Sequence, residues 1–293
     1  MILATAETGT GEFGFSDADF RDLARLARAE YGLSLADSKK PLVYSRLARR
    51  LRARGVEKFQ DYMALLNDDA EADERLELIT ALTTNVTSFF RERHHFDMLA
   101  SELLPDCGHH GRIRLWSAGC SSGQEAYSIA MTLRDSLADI DRRDVRVLAT
   151  DIDPAIVRRA QNGRYPKEEQ SAIPAHLSRQ FTRRCNSDPD HFEMTDDVGK
   201  LVTFAELNLM TTWPFRGPFD GIFCRNVAIY FDQDTQQKLW TRFAEMLRPG
   251  GYLFIGHSER VSGPATASFR SVGVTAYRKI VPSEQSTTKG RET

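Results

Sequence analysis

The feature that most constrains this 293-residue chain is a short apolar strand that runs into a glycine-containing turn and then into a helix. It spans residues 112–126, RIRLWSAGCSSGQEA. Gly119 and Gly123 lack the Cβ atoms that would keep a ligand away from the backbone. A second strand, at 145–150, ends on Asp151, and an acid in that position suits the two hydroxyls of a ribose. The pattern predicts a site for an adenosine-containing cofactor.

The alternation of strands and helices after residue 112 predicts an α/β fold with a doubly wound, Rossmann-like sheet. Strands are predicted at 113–117, 145–150, 219–224 and 252–256, helices at 124–138, 154–162 and 234–247, and a closing hairpin at 269–279. Most of the sheet should be parallel, and the hairpin adds an antiparallel edge pair. Residues 164–203 break the alternation, and their β-like pieces, 191–194 and 201–204, are interpreted as an inserted small antiparallel β subdomain.

The first 82 residues predict a small all-helical domain, because they contain no strand pattern and their loops are short. Helices are expected at 16–30, 41–54, 59–66 and 72–82. Residues 83–111 are interpreted as a linker and the start of the catalytic domain, and 112–281 as the cofactor-binding domain. The polar tail, 282–293, is expected to be disordered.

Composition and charge exclude several classes of protein. The formal net charge of −2 gives no global attraction to nucleic acid or membrane, and no apolar run approaches the ~18 residues of a membrane span. The N-terminus lacks the pattern of a signal peptide, so we expect a cytoplasmic protein. The four cysteines form no CxxC pair, and the pair His94–His95 has no third ligand at metal spacing, so no metal site is expected.

Two adenosine cofactors fit the glycine turn, namely a dinucleotide and S-adenosylmethionine. A dinucleotide site favours GxGxxG, whereas this turn reads AGCSSG and is followed at once by Glu125. A carboxylate in the first helical turn would repel a pyrophosphate, but it would suit the ammonium group or the ribose hydroxyls of S-adenosylmethionine. A nicotinamide oxidoreductase stays open as an alternative, disfavoured by Glu125 and by the lack of a catalytic His or Tyr-Lys arrangement near the sheet.

Several motifs together carry a resemblance to one family. They are TTNVTSFFR at 83–91, WSAGCSSGQE at 116–125, ATDID at 149–153, CRNV with IYF at 224–231, and GHSE at 256–259. In order and spacing they resemble the CheR-type chemotaxis receptor methyltransferases, over roughly residues 15–280. The resemblance implies S-adenosylmethionine-dependent methyl esterification of glutamate side chains on the helical cytoplasmic region of chemoreceptors, with S-adenosylhomocysteine as the other product.

The resemblance also implies roles for individual residues. The implied cofactor-binding residues are Asn85, Thr87, Arg91, Ala118, Gly119, Glu125, Asp151, Asn208, Leu209, Arg225 and Asn226. Arg91 and Tyr230 would face the reacting carboxylate as the catalytic residues. A glutamate has an ordinary pKa of ~4.3 and is already ionised at neutral pH, so no general base is needed. In-line alignment, which can supply ~7–11 kcal/mol, and exclusion of water would then carry the rate.

Seven basic residues and no acid lie between Lys39 and Arg54. A solvated helix face and a docking surface for an acidic partner both fit this pattern. The predicted docking residues are Arg46, Arg49, Arg50 and Arg54, and the resemblance makes a receptor helix the partner. Nucleic acid is not expected, because no aromatic residue is interleaved among residues 46–54 and the [DN]PP[YFW] signature of adenine methylases is absent.

Some members of the resembling family bind a short receptor tail peptide through a glycine-containing loop of the β subdomain. Residues 183–190 contain no glycine here, so tight binding of such a peptide is not expected. The protein is expected to be a monomer. A second function stays open, a signalling module that binds S-adenosylmethionine without turnover. The joint presence of five residues argues against it: Arg91, Glu125, Asp151, Asn226 and Tyr230.

Overall fold

The computed structural model describes residues 12–107 and 111–281. The tail 282–293, predicted to be disordered, lies outside the described residues. The chain forms two compact units, which we call the helical unit (Met1–Thr84 with Tyr230–Asp232) and the sheet unit (Asn85–Ile229 with Gln233–Thr293). Among the residues described, no helix combines the length and the apolar composition that a membrane span requires.

The helical unit contains the helices that the sequence predicts. They are α1 (Asp17–Tyr31), α2 (Lys40–Arg54), α3 (Phe59–Leu66) and α4 (Ala72–Leu82). Helix α1 begins with a capping box, in which the backbone N–H of Asp19 donates to the Ser16 hydroxyl at 3.2 Å and the Asp19 carboxylate accepts from the Ser16 backbone at 2.8 Å. Helices α1 and α2 each end at a glycine in the left-handed region, Gly32 and Gly55, where a side chain would be strained.

A closed charged network joins α2, α3 and α4. The carboxylate of Glu74, only 2% exposed, accepts hydrogen bonds from the Tyr62 hydroxyl at 2.6 Å and from Arg50 at 3.0 and 2.6 Å. Burial raises the pKa of Glu74, but the hydrogen bonds from Arg50 and Tyr62 outweigh it, so that the pKa lies below its ordinary value. The network fixes the packing of the three helices.

The sheet unit has the predicted α/β architecture. Its helices are α5 (His94–Met98), α6 (Leu104–Cys107), α7 (Gln124–Ser136), α8 (Pro154–Asn162), α9 (Ala175–Phe181), α10 (Asp196–Gly199) and α11 (Gln233–Met246). Its strands are β1 (Arg112–Ala118), β2 (Asp144–Asp151), β3 (Arg164–Pro166), β4 (Thr182–Arg184), β5 (His191–Met194), β6 (Val202–Glu206), β7 (Phe219–Cys224), β8 (Leu247–Ile255), β9 (Phe269–Gly273) and β10 (Ala276–Lys279).

Within the described residues, the main sheet has seven strands in the order β6-β2-β1-β7-β8-β10-β9. The first five are parallel, and β10 is antiparallel to both β8 and β9. Most side chains of the central strands are buried, since helices cover both faces of a doubly wound sheet, and the exposed ones lie near the starts of β1 and β2. The prediction of a doubly wound, mostly parallel sheet with an antiparallel edge pair is confirmed.

A second, antiparallel sheet has the order β3-β5-β4 and contains the predicted strand at 191–194. The assignment of residues 201–204 to this small sheet is wrong. Strand β6 instead pairs in parallel with β2 at the edge of the main sheet, with Val202 opposite Val147. An edge strand buries only part of its surface, and all residues of β6 are half-buried or exposed, so its sequence lacks the long apolar run of a central parallel strand.

Candidate active site

The site lies where four neighbouring parallel strands end. In the order β6-β2-β1-β7 their carboxyl ends lie side by side, and in open α/β sheets ligands bind at this edge. The predicted cofactor residues at or just beyond these ends are Asn208 and Leu209, Asp151, Ala118 and Gly119, and Arg225 and Asn226. The fold therefore brings together residues that are separated by up to about a hundred positions in the sequence.

The glycine turn is attached to the neighbouring strand β2. The backbone N–H groups of Gly119 and Cys120 both donate to the carbonyl oxygen of Thr150, at 2.8 and 2.9 Å. Gly119 has a φ of +86°, and a Cβ atom there would lie 2.3 Å from Val227 Cγ2. Glycine is thus required both for the turn and for the close approach of the loop that follows β7.

Asp151 ends β2 as a buried carboxylate that only backbone groups are seen to contact. Its Oδ2 accepts from the N–H of Ser121 at 2.8 Å, and its Oδ1 accepts from the N–H of Asp153 at 3.1 Å. Burial raises the pKa of Asp151, and these backbone hydrogen bonds oppose the shift. Each oxygen keeps acceptor capacity, which suits the two hydroxyls of a ribose.

Glu125, in the first turn of α7, is also buried and already has partners within the protein. Its Oε1 accepts from the Ser117 hydroxyl at 2.6 Å, and its Oε2 accepts from Arg225 Nη1 at 3.0 Å. Burial raises the pKa of Glu125, although the charge of Arg225 acts in the opposite direction. Any contact that Glu125 makes with a cofactor is shared with these two partners.

Arg225 connects two parts of the site. Besides Glu125, its guanidinium donates to the carbonyl oxygen of Arg91 and lies 3.5 Å from Glu92 Oε2. The residue is only 7% exposed. The sequence predicts a cofactor contact for Arg225, and the structure gives it the further task of holding the segment that carries Arg91. Glu92 is not among the predicted site residues, although its place next to Arg91 is a signal that could have drawn attention to it.

Arg91 lies in a segment with unusual backbone geometry. Its neighbours Phe90 and Glu92 have φ values of +52° and +54°, in the left-handed region that residues other than glycine rarely adopt. The Arg91 Nη1 donates to the carbonyl oxygen of Val86 at 3.0 Å. The backbone carbonyl oxygen of the exposed Asn85 accepts from the Ser121 hydroxyl at 3.2 Å, which places Asn85 beside the glycine turn.

The remaining predicted cofactor residues lie in loops held by other side chains. Thr87 is half-buried and no described contact assigns its hydroxyl a role. Asn208 Oδ1 accepts from the N–H of Met210 at 2.9 Å. The carbonyl oxygen of Leu209 accepts from Arg242 Nη1 at 2.5 Å, so a residue of α11 anchors this loop.

Glu259 is a structural carboxylate that sequence reasoning assigned to a motif without giving it a role. It is 8% exposed, and its two oxygens accept backbone N–H groups of Gly256 at 2.5 Å, Asn226 at 3.1 Å and Ile229 at 3.1 Å. Burial raises the pKa of Glu259, and these hydrogen bonds act against the shift. Asn226, with a φ of +61°, is thereby held in a conformation that few residues adopt.

Tyr230, the second predicted catalytic residue, belongs to the helical unit. Its hydroxyl donates to the carbonyl oxygen of Thr84 at 3.0 Å and accepts from the N–H of Thr84 at 3.2 Å. These contacts fix the position of the hydroxyl within that unit. Its part in the reaction stays a prediction.

The predicted docking arginines of α2 differ in what they contact. Arg46 donates to the carbonyl oxygens of Leu82 and Thr83 at the end of α4, at 2.7 and 3.1 Å. Arg50 belongs to the network of Glu74, and Arg54 pairs with Glu71 at 2.8 Å. Arg49 is exposed and, within the part of the chain that the structure describes, makes neither a hydrogen bond nor an ion pair.

Fold and site together define a class of protein. The sheet order, with one antiparallel strand between β8 and β9 and a glycine turn and acid at adjacent carboxyl ends, is typical of the α/β methyltransferases that use S-adenosylmethionine. The family model described as "CheR methyltransferase, SAM binding domain" matches residues 85–278, and "CheR methyltransferase, all-alpha domain" matches residues 18–83. The chain belongs to the CheR methyltransferase family. This confirms the resemblance and S-adenosylmethionine as the cofactor.

Relatives of known name agree with this assignment. The chain is 45% identical to a probable chemotaxis protein methyltransferase of Rhizobium etli over 85% of its own length and 95% of the relative. It is 43% identical to the chemotaxis protein methyltransferase of Escherichia coli over 86% of its length and 88% of the relative. It is 41% identical to chemotaxis protein methyltransferase 2 of Pseudomonas aeruginosa over 92% of its length and 95% of the relative.

Proposed function

We propose that this protein transfers the methyl group of S-adenosylmethionine to glutamate side chains on the helical cytoplasmic region of chemoreceptors, as a cytoplasmic protein-glutamate O-methyltransferase. The observation that carries the proposal is the convergence of the predicted cofactor residues at one edge of the sheet, with Asp151 as a buried carboxylate beside the glycine turn. The names of its relatives, chemotaxis protein methyltransferases, support the receptor as substrate.

The residues present fit the cofactor. Asp151 would accept the ribose hydroxyls, the Gly119 turn would admit the amino-acid portion, and the loop of Asn208 and Leu209 would lie along the adenine. S-adenosylmethionine supplies an electrophilic methyl group on a sulfonium that leaves as a neutral thioether. The protein therefore has to orient the substrate carboxylate and exclude water.

Arg91 is the residue that we assign to orienting the carboxylate. One nitrogen of its guanidinium is used by the carbonyl oxygen of Val86, and the guanidinium has further N–H donors for a ligand. A bidentate pair would stabilise the ground-state carboxylate and weaken it as a nucleophile. We therefore expect Arg91 to contact one carboxylate oxygen and to leave the other free to attack. The carbonyl contact from Arg225 and the left-handed residues on either side help to hold Arg91 in place.

Helix α2 is proposed as the docking helix, with Arg49 as its main contact. Arg46, Arg50 and Arg54 are engaged by groups of their own unit, so an acidic partner would have to compete for them. Leu42, 49% exposed, lies two helical turns before Arg49 and so on the same face. An acidic receptor helix with an apolar stripe would match this pair.

A methyl-transfer assay on a receptor cytoplasmic fragment tests the proposal. We expect radiolabelled methyl from the cofactor to appear on the fragment and to be released by mild base, as a methyl ester is. Arg91→Ala should lower kcat roughly 100-fold, because loss of orientation costs about that much. Arg93→Ala is the matched control, since Arg93 is an exposed neighbour whose ion pair is with Asp97.

Two results would contradict the proposal in different ways. Full turnover by Arg91→Ala would remove the role assigned to that residue. Tight cofactor binding by the wild type with no labelling of any receptor fragment would favour the signalling module that binds S-adenosylmethionine without turnover.

A further inference from the structure

The fold brings a carboxylate and two imidazoles together next to the segment that carries Arg91. One ligand atom each of Glu92, His94 and His95 lies within 4.8 Å of the other two. The expectation that the histidine pair has no third ligand at metal spacing is wrong for the folded chain, because Glu92 supplies one. The sequence signal is the run E-x-H-H, which places a carboxylate three residues before His95.

The protonation of both imidazoles follows from one carbonyl. The Nε2 atoms of His94 and His95 lie 3.1 and 3.2 Å from the carbonyl oxygen of Val274, which can only accept a hydrogen bond. Each Nε2 therefore carries its proton, which leaves Nδ1 as a lone pair. Metal-binding histidines are commonly oriented in this way, with the other ring nitrogen donating to a backbone carbonyl.

Two buried acceptor atoms face each other in this cluster. His95 is fully buried, and its Nδ1 lies 3.7 Å from Glu92 Oε2. Within the described residues neither atom has a hydrogen-bond partner. With Nε2 as the donor to Val274, the neutral ring has no proton on Nδ1, so two lone pairs face each other with no donor between them. A group that accepts electron pairs from both atoms would remove this cost.

We propose that Glu92, His94 and His95 bind a divalent transition-metal ion of the Zn²⁺ type. A separation of 3.7 Å accommodates an ion at ~2.0–2.2 Å from each of the two atoms. Imidazole and carboxylate donors suit Zn²⁺ and related ions. His257, whose Nδ1 is 3.2 Å from Glu92 Oε1, is exposed and stands beside the other oxygen of the same carboxylate.

The charges around the cluster set the expected affinity. Arg225 Nη2 lies 3.5 Å from Glu92 Oε2 and repels a cation, whereas the carboxylate of Glu125 balances that guanidinium. Two carboxylates and one guanidinium leave one net negative charge. We therefore expect micromolar affinity for Zn²⁺, weaker than that of closed structural sites with four protein ligands. A bound ion would hold the Glu92 carboxylate to the two imidazoles, which already contact the carbonyl oxygen of Val274 in the β9–β10 turn.

The test uses the full chain with any histidine tag removed. Calorimetric titration with Zn²⁺ and visible absorption with Co²⁺ as a spectroscopic probe should show one equivalent bound. His94→Gln and Glu92→Gln should each weaken binding by at least about tenfold. His176→Gln is the matched control, because His176 is an exposed histidine that pairs with Asp135 outside the cluster and should leave binding unchanged.

His94 is exposed, so its substitution does not disturb the core, and circular dichroism checks the folding of the Glu92 variant. Absence of Zn²⁺ and Co²⁺ binding by the wild type would overturn the proposal. So would binding that both cluster variants retain in full, since the ion would then lie elsewhere. These measurements are independent of methyl transfer, so their failure and that of the proposed function are separate results.

Discussion

Glu74 in the helical unit and Asp151 in the sheet unit are both buried carboxylates, yet their pKa values move in opposite directions. Glu74 is surrounded by side-chain donors, with an arginine and a tyrosine hydroxyl bonded to its oxygens. Asp151 accepts only backbone N–H groups in its described contacts. The first carboxylate has its charge neutralised within the fold, whereas the second keeps an uncompensated charge.

This difference separates stability from function. A buried ion pair that loses one partner leaves an uncompensated charge, so loss of Arg50 from the Glu74 network should destabilise the fold. An acid that burial makes reluctant to ionise is costly to the fold and is characteristic of a ligand site. The comparison therefore predicts that substitutions in the two networks affect different measurements.

The largest effect is expected from Arg50→Ala in the helical unit. Loss of the guanidinium removes both arginine hydrogen bonds from the buried Glu74 carboxylate and leaves only Arg54, 3.7 Å away, as a cation, which should lower the free energy of unfolding by about 3 kcal/mol. Urea denaturation followed by circular dichroism measures this. Arg49→Ala is the matched control and should change the unfolding free energy by less than about 0.5 kcal/mol, because Arg49 is on the surface. Equal losses of unfolding free energy in Arg50→Ala and Arg49→Ala would contradict the stabilising role of the Glu74 network.

Asp151→Asn, in contrast to Arg50→Ala, should lower cofactor affinity and not stability. Removing the acceptor of two ribose hydroxyls is expected to weaken binding of S-adenosylmethionine roughly 100-fold, whereas the unfolding free energy stays the same or rises. Calorimetric titration gives the affinity. Asp153→Asn is the control, because Asn serves equally well as the cap of α8, and its affinity should stay near that of the wild type. A loss of stability in Asp151→Asn without a loss of affinity would contradict the assignment.

The pKa directions predict a split in pH dependence. Burial raises the pKa values of Glu125 and Asp151, so these groups take up protons at a higher pH than ordinary carboxyls. Affinity for S-adenosylmethionine should fall as pH is lowered, starting at a higher pH than ordinary carboxyls would give, by up to about tenfold per unit below the higher pKa. Calorimetric titrations at several pH values measure this, and Asp151→Asn should have a shallower dependence.

Glu74 has a lowered pKa, so it stays ionised to a lower pH than an ordinary carboxyl does. Its contribution to stability is fully present above the pKa of an unfolded glutamate and is lost only as pH falls through the lower, folded value. At pH values above the pKa of an unfolded glutamate, the stabilisation by this network should therefore stay constant while cofactor affinity already declines. If the stabilisation by the network and the cofactor affinity decline over the same pH range, the pKa values of Glu74 and Asp151 do not differ in the expected way.

The smallest expected effect concerns docking. Arg49→Ala should raise KM for a receptor fragment about threefold, because an exposed charge contributes on the order of 0.5–1 kcal/mol, and the difference should shrink at high salt. Methyl-transfer kinetics at two ionic strengths provide the measurement. Arg52→Ala is the control, since Arg52 is a basic residue of the same helix that pairs with Glu12. If Arg52→Ala has the larger effect, another face of α2 docks the receptor.

Local sequence was sufficient for those parts of the fold that local patterns determine. The strand, turn and helix at residues 112–136, and the caps at Ser16 and Gly55, depend on neighbours within a few positions. Strand β6 was misassigned because its partner, β2, lies about fifty residues away in sequence and its half-exposed pattern carries no signature of a parallel strand. The sheet edge to which a strand belongs is a property of the assembled fold.

The candidate site also contains residues that local sequence predicts and contacts that only the fold creates. Residues in motifs, such as Gly119 and Asp151, could be predicted because their chemistry is visible beside them in the chain. The pairing of Arg50 with Glu74 could not, because this contact joins side chains that are 24 residues apart in the sequence. The sequence predicts four docking arginines on the basic helix, although three of them have partners within their own unit.

The hydrogen bonds that the Glu259 carboxylate accepts from Gly256, Asn226 and Ile229 limit how the sequence of this protein can change. The loop after β7 owes its shape to a carboxylate that lies about thirty residues further along the chain, and Gly256 leaves room for Asn226, whose Nδ2 would lie 2.4 Å from a Cβ atom there. Neither segment can vary alone without disturbing the other. In a lineage of such chains we expect positions 226, 256 and 259 to be inherited as one unit, so that recombination between them would be selected against even when each parent is active.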